Sequence, residues 1–262
     1  AFDTSQDSET TNPLLQRRQQ NFGPISVLFY REPLEMVRAS GCWMEAIDGT
    51  RYLDFYNNVP SVGHCHPRVV AAISRQVATL NINSRYLNQI TEEYLERLKS
   101  TMPPKLCNVA MACSGSEAND LALRVAKRVT GGSGFIVTQT AYHGNTQAVT
   151  EISPSALKQG IPPDNVYLIK APGKDAYGEN IGQGMAKAVS RAIRTLKRSG
   201  HQLAALICDS IFSSDGVFAG PPGFLQESVD LVHQAGGLYI ADEVQPGFAR
   251  TGEAFWGFGR HL

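Results

Sequence analysis

Residues 106–128, LCNVAMACSGSEANDLALRVAKR, constrain the fold more than any other stretch. An apolar run meets a tight Ser-Gly-Ser corner, and a helical pattern follows at once. Residues 106–113 are β-rich and short enough for a buried strand. Ser114-Gly115-Ser116 breaks the run. From Glu117, apolar Ala118, Leu121, Ala122 and Val125 recur at helical spacing, predicting a helix over 117–129, and Gly131 supplies a stop. A strand feeding a helix through small residues leaves free N–H groups at the positive end of the helix dipole, an arrangement that binds phosphate. The residues must be small because the anion approaches the backbone closely. Taken alone, an ordinary strand–helix turn would read the same way.

From residue 106 onward the pattern is regular. Strands are predicted at 106–113, 135–138, 166–169, 203–209 and 238–244, with helices at 117–129, 184–198 and 224–234. The strands are continuously apolar, as burial on both faces requires. The alternation therefore predicts an α/β fold, a mostly parallel sheet with helices on both faces. Ligands of such sheets sit beyond the carboxyl ends of the strands. Ser114-Gly115-Ser116, Ala141-Tyr142-His143-Gly144, Asp209-Ser210 and Asp242-Glu243-Val244-Gln245 lie at those ends.

The earlier chain is less regular. Residues 1–13 are polar and acidic, without the basic and apolar regions of a signal peptide, and read as a flexible arm. A short helix is predicted over 14–21, and an irregular or edge segment over 26–37, which Pro33 interrupts. Residues 41–54 read as a hairpin turning at Asp48-Gly49. Two amphipathic helices follow. One spans 68–80 with Val69, Ala72, Ile73, Val77 and Leu80 on one side; the other spans 91–101, capped by Thr91.

Bulk properties exclude several classes. Lys+Arg and Asp+Glu number 24 each, so no charge excess points to nucleic acid or an anionic membrane. No apolar run approaches the roughly 20 residues of a membrane span. Five scattered cysteines without a CxxC suggest reduced thiols and a cytoplasmic setting. His64-Cys65-His66 lacks a second ligand pair, so no metal is expected. Ser116, His143 and Asp242 could be imagined as a hydrolase triad, but their order differs and there is no GxSxG elbow.

The rim thus gathers a phosphate cradle, an aromatic beside a histidine, and Asp242 ending a hydrophobic strand. Such a carboxylate is costly to desolvate without a cationic or donor partner. A protonated ring nitrogen would serve. Phosphate, flat ring and pyridinium nitrogen together describe pyridoxal phosphate.

At RYLDFYNNVPSVGHCHPRVVAAI, CSGSEANDLALRVAK, AYHGN, ALICDS and YIADEVQPGFARTG the chain resembles the class-III (ω-type) aminotransferases, pyridoxal-phosphate enzymes of fold type I. The resemblance implies that Ser114, Gly115 and Ser116 lie at the cofactor phosphate and that Tyr142 stacks on the ring with His143 beside it. It implies that Asp242 pairs with the pyridine nitrogen, Val244 packs under the ring and Gln245 stands near its hydroxyl. Asp209-Ser210 replaces the Glu-Pro of many members, which clouds the cofactor-binding role of Asp209 and suggests non-standard substrate handling. The implied organisation is an arm and short helix over 1–24, the N-terminal part of a small domain over 25–60, and a large cofactor-binding domain over 61–262.

The family's Schiff-base lysine follows DEVQ further along the chain, whereas no lysine follows Lys197 here. The expectation is a fragment of a longer enzyme, with the C-terminal part missing; the alternative is a chain that has lost catalysis and acts as a cofactor-binding scaffold. Within the family, VLFYREPLEMVRASG and YNNVPSVGHCHP look most like the phosphoethanolamine phospho-lyase subgroup. The resemblance implies amino transfer between an amine or ω-amino acid and a keto acid such as pyruvate, with phosphate elimination from phosphoethanolamine or a similar amino-alcohol phosphate as the alternative. For the second phosphate, Arg31 with Tyr30 is the candidate, since a guanidinium matches phosphate bidentately. The resemblance also implies a small-molecule amine substrate and a homodimer.

Overall fold

The computed structural model describes residues 12–23, 28, 30, 32–56, 61–157 and 160–261. The chain divides into two compact units, Ala1–Tyr86 and Leu87–Leu262.

In the first unit, helix α1 (Pro13–Phe22) starts at Asn12, whose side chain accepts from the Leu14 and Leu15 amides. The predicted hairpin forms from β2 (Trp43–Ala46) and β3 (Arg51–Leu53), with Met44 opposite Tyr52. The segment expected to be irregular or an edge runs at its end into an edge strand, β1 (Met36–Ser40), which pairs antiparallel with β2. Helix α2 (Pro67–Thr79) forms as read, but its apolar side does not become core: Val69, Ile73, Val77 and Leu80 are all exposed.

The second unit is a parallel sheet in the order β5-β4-β6-β7, from β4 (Gly134–Thr138), β5 (Val166–Ile169), β6 (Leu203–Asp209) and β7 (Leu238–Asp242). Helix α4 (Gly115–Thr130) leads into β4, and α5 (Gln147–Glu151), α6 (Lys174–Tyr177), α7 (Ile181–Arg198) and α8 (Gln226–Gln234) run between the strands. Alternate side chains of the strands build two cores. On one face Ile136, Leu206 and Cys208 meet Met185, Val189 and Ala192 of α7 and Val232 of α8. On the other, Phe135, Val137, Ala205 and Ile207 meet Leu123 and Ala126 of α4 and Val149 of α5. This is the doubly covered sheet that continuous apolar strands demand.

Three details differ from the sequence reading. Residues 106–113 join no sheet among the described residues, and Leu106 and Met111 are exposed. An apolar run becomes a strand only beside a neighbour that takes its N–H and C=O groups, and no strand among the described residues pairs with it. Helix α3 (Gln89–Lys99) begins earlier than predicted, because Asn88 rather than Thr91 caps it through the Ile90 and Thr91 amides. Helix α4 turns a different face inward: Asn119, Leu123 and Ala126 are buried, whereas Val125 of the expected stripe is exposed.

The two faces of α4 are separable by unfolding in denaturant. Leu123→Ala should lower stability by about 2–5 kcal/mol, the range for emptying a packed leucine site. Val125→Ala should change it by less than about 1 kcal/mol, and equal losses would contradict this helix orientation.

Candidate active site

The site is built where α4 starts and where β4, β6 and β7 end. Ser114 caps α4: its hydroxyl accepts from the Glu117 amide, while the Glu117 carboxylate accepts from the Cys113 amide at 2.7 Å. With the cap occupied in this way, the Gly115 and Ser116 amides are the helix-end donors left pointing outward. At Gly115 a Cβ would lie 2.5 Å from Val244 Cγ2, so any larger residue there would have to displace the Val244 side chain. That contact seats the chain leaving β7 directly on the helix start.

A second strut joins the same corner to the loop after β4. The Ser116 hydroxyl donates to Asn145 Oδ1 at 3.0 Å and accepts from the Asn145 amide at 3.2 Å. Gly144 sits at φ +134°, and a Cβ there would meet Ser116 Oγ at 2.5 Å and Ser116 Cα at 2.7 Å. Only glycine permits both the backbone angle and the approach. Tyr142 and His143, just before it, point opposite ways: Tyr142 is 47% exposed and His143 only 4%.

Asp242 is buried at the end of β7, and its donors are protein groups. Asn119 Nδ2 reaches Oδ2 at 3.0 Å, His143 Nδ1 reaches the same oxygen at 2.8 Å, and the Val244 amide reaches Oδ1 at 3.1 Å. Asn119 also donates to the His143 carbonyl at 2.8 Å, and the His143 amide donates to Ser153 Oγ at 2.9 Å. His143 Nε2, the other ring nitrogen, is buried with no partner among the described residues. Asn119 lies one turn into α4, about 6 Å of rise from Gly115. The carboxylate and the Ser114–Ser116 corner are therefore neighbours on one rim.

Asn119 was missed by sequence reasoning. It lies on the 119/123/126 side of α4, which the apolar stripe of Ala118, Leu121, Ala122 and Val125 does not mark.

Asp209 and Asp242 are paired in register across β6 and β7. The Asp209 carboxylate turns to its own loop, accepting from the Ile211 amide at 2.9 Å and from the Ser213 hydroxyl. Burial pushes its carboxyl up; the Ser213 and Ile211 bonds oppose that, and the nearby Asp242 charge adds to it. Ser210 is fully buried and donates to Glu243, whose carboxylate also accepts from the Gly257 amide at 2.6 Å and the Phe258 amide at 2.8 Å. Val244 is 67% exposed and Gln245 half-buried beside the corner. Arg31 lies outside the described residues, and Tyr30 is a largely exposed residue of the first unit. His64, weighed above for a metal, is bonded to Asp54 at 2.6 Å. No helix among the described residues is long and apolar enough to cross a membrane.

A family model described as aminotransferase class-III matches residues 30–258. The chain belongs to this family. Among the class-III relatives, a Drosophila melanogaster protein named alanine–glyoxylate aminotransferase 2-like is 40% identical, over 92% of this chain and 51% of its own length. The Caenorhabditis elegans ethanolamine-phosphate phospho-lyase homolog 1 is 33% identical, over 96% of this chain and 58% of its own. A solved phospholyase from Arthrobacter, in complex with phosphoethanolamine, superposes with TM-score 0.89 at 40% identity, covering 95% of this chain and 60% of that one. The chain thus spans a little over half the length of the class-III proteins it matches.

Removing the Asn119 amide should leave Asp242 and the His143 carbonyl each one donor short. Asn119→Ala is expected to lower stability by about 1–3 kcal/mol, read from thermal or denaturant melts. A neutral result would mean that the three groups are not joined as described.

Proposed function

We propose that the full-length protein is a pyridoxal-phosphate enzyme that eliminates phosphate from phosphoethanolamine or a similar amino-alcohol phosphate. The observation that carries the reading is the proximity of the buried Asp242 carboxylate to the open amides of Gly115 and Ser116. The residues fit the cofactor. The helix-end amides suit a phosphate, and the corner is shaped so that Val244 and Tyr142 both remain open to solvent beside it. When bound, pyridoxal phosphate would supply an electron-withdrawing ring at the amine carbon.

The work of this chain's own residues is to hold and orient. Gly115 and Ser116 would take the phosphate, with Ser114 setting the helix start. Tyr142 would cover one face of the ring and Val244 the other, with Gln245 near its hydroxyl. Asp242 would keep a proton on the ring nitrogen, and His143 and Asn119 would hold that carboxylate in place. Asp209, bonded to its own loop, would back Asp242 from the neighbouring strand. By the family resemblance, the lysine that attaches the cofactor would come after DEVQ, and no lysine follows Lys197 in this sequence. The Arthrobacter likeness and the C. elegans relative support phosphate elimination. The Drosophila relative's name favours a second reading, amino transfer to a keto acid such as pyruvate. A homodimer accords with the uncovered apolar side of α2, and a cytoplasmic setting with the five free cysteines.

The full-length protein should release inorganic phosphate from phosphoethanolamine, and borohydride should trap the cofactor covalently. Alanine formation from pyruvate without phosphate release would select the second reading, and no capture at all would favour a scaffold. Arg31→Ala should raise KM for phosphoethanolamine at least tenfold while leaving cofactor capture intact. An unchanged KM would remove Arg31 from the substrate site.

A further inference from the structure

A second concave site shares no residue with the rim. It is a cavity of about 520 Å³ beside β5 and α7. Tyr167 and Ile169 of β5 line it, with Tyr177 of α6 and with Lys170, Lys187 and Arg191. No aspartate or glutamate lines it. The chain as a whole carries equal numbers of acids and bases, 24 each, so this bias is local.

The three cations are not taken up elsewhere. Among the described residues, neither Lys170, Lys187 nor Arg191 forms an ion pair, whereas Arg124, Lys174 and Arg260 of the same unit do. Lys187 reaches only the neutral Gln183, at 3.4 Å. Lys187 and Arg191 are four residues apart on α7, so their Cβ atoms are about 5–6 Å apart. Like charges at that spacing disfavour a helix. An anion between them would reverse the sign of that interaction.

The walls are held in shape. Gly184, one turn before Ala188 on α7, packs so closely that a Cβ would lie 2.5 Å from Tyr177 Cβ. The Tyr177 hydroxyl donates to the Lys170 carbonyl at 2.8 Å, which ties α6 to the end of β5. Burial pushes that phenol up to about 12, so it stays a neutral donor in this bond. The small residues Gly184 and Ala188 leave the space, and the aromatic wall gives an apolar surface beside the charges.

A lysine ammonium and an arginine fork converging from one helix face match a tetrahedral dianion. We propose that this cavity binds the phosphate end of a phosphorylated small molecule, at a site separate from the Asp242 rim. Lys187 and Arg191 grip the anion, Lys170 adds charge at the mouth, and Tyr167 and Tyr177 flank the rest of the ligand.

Calorimetric titration of the full-length protein, with pyridoxal phosphate bound beforehand and the excess removed, tests the assignment. The probes are inorganic phosphate, pyrophosphate and ADP at fixed ionic strength. Saturable binding is expected for at least one probe. It should weaken at least tenfold in the double variant K187A/R191A and stay within twofold in K174A, which removes an exposed charge outside the cavity. Both changed side chains of the double variant are exposed, so its melting temperature without ligand should match the parent. Tighter binding of ADP than of pyrophosphate supports a ligand with a ring against the tyrosines, and the reverse supports a bare polyphosphate end. The proposal is overturned if no probe saturates or if the double variant binds as the parent does. It is also overturned if sulfate competes equally, the signature of an adventitious ion only. None of these outcomes bears on phosphate release from phosphoethanolamine, which reads the rim alone.

Discussion

One buried carboxylate organises the second unit's functional edge. Asp242 draws a side-chain amide from α4, an imidazole from the loop after β4 and a backbone amide from its own turn. A charge so far from water is tolerated only when such donors are in place, and each donor left out would cost on the order of 1–3 kcal/mol. The consequence is mechanical. Helix, loop and strand end cannot drift apart without stranding the acid, so the corner at Gly115 is held at a fixed place relative to Asp242. The Ser116–Asn145 pair repeats the constraint a few ångströms away.

The adjacent acid does different work. Glu243 collects the Gly257 and Phe258 amides and the Ser210 hydroxyl, so it pins the turn after Trp256 against the end of β6. His261 reinforces that junction through the Ser210 carbonyl at 2.9 Å and an edge-on contact with Phe224. The Asp209-Ser210 pair that departs from the family's Glu-Pro therefore has a local account. Ser210 supplies a hydroxyl to Glu243, and Asp209 shapes the loop that follows. Asp215 extends that loop's anchorage to Thr138 and Thr140 at the end of β4.

The parallel sheet, its two covered faces and the rim residues were legible because fully buried strands must be apolar throughout and turns between them need small residues. The inward face of α4 was not legible. Its apolar stripe of Ala118, Leu121, Ala122 and Val125 is more regular than the side actually buried, and a hydrophobic period cannot register Asn119, whose burial depends on an acid far away in the chain. Residues 106–113 illustrate a related limit: a strand is a property of a pair of segments, and one segment's composition cannot supply its neighbour. The cap of α3 was misplaced by three residues for a local reason, since Asn88 and Thr91 are both good capping types and only backbone angles choose between them.

The alternation at Tyr142 and His143 separates two duties that sit on consecutive residues. The imidazole is committed inward to the acid, whereas the phenol ring faces the solvent side of the same extended loop. Whatever flat or bulky group occupies the outer position can thus change without disturbing the buried network beneath it. The loop works like a reversible tile, its underside mortared to the sheet and its upper face free to be recut for a different guest.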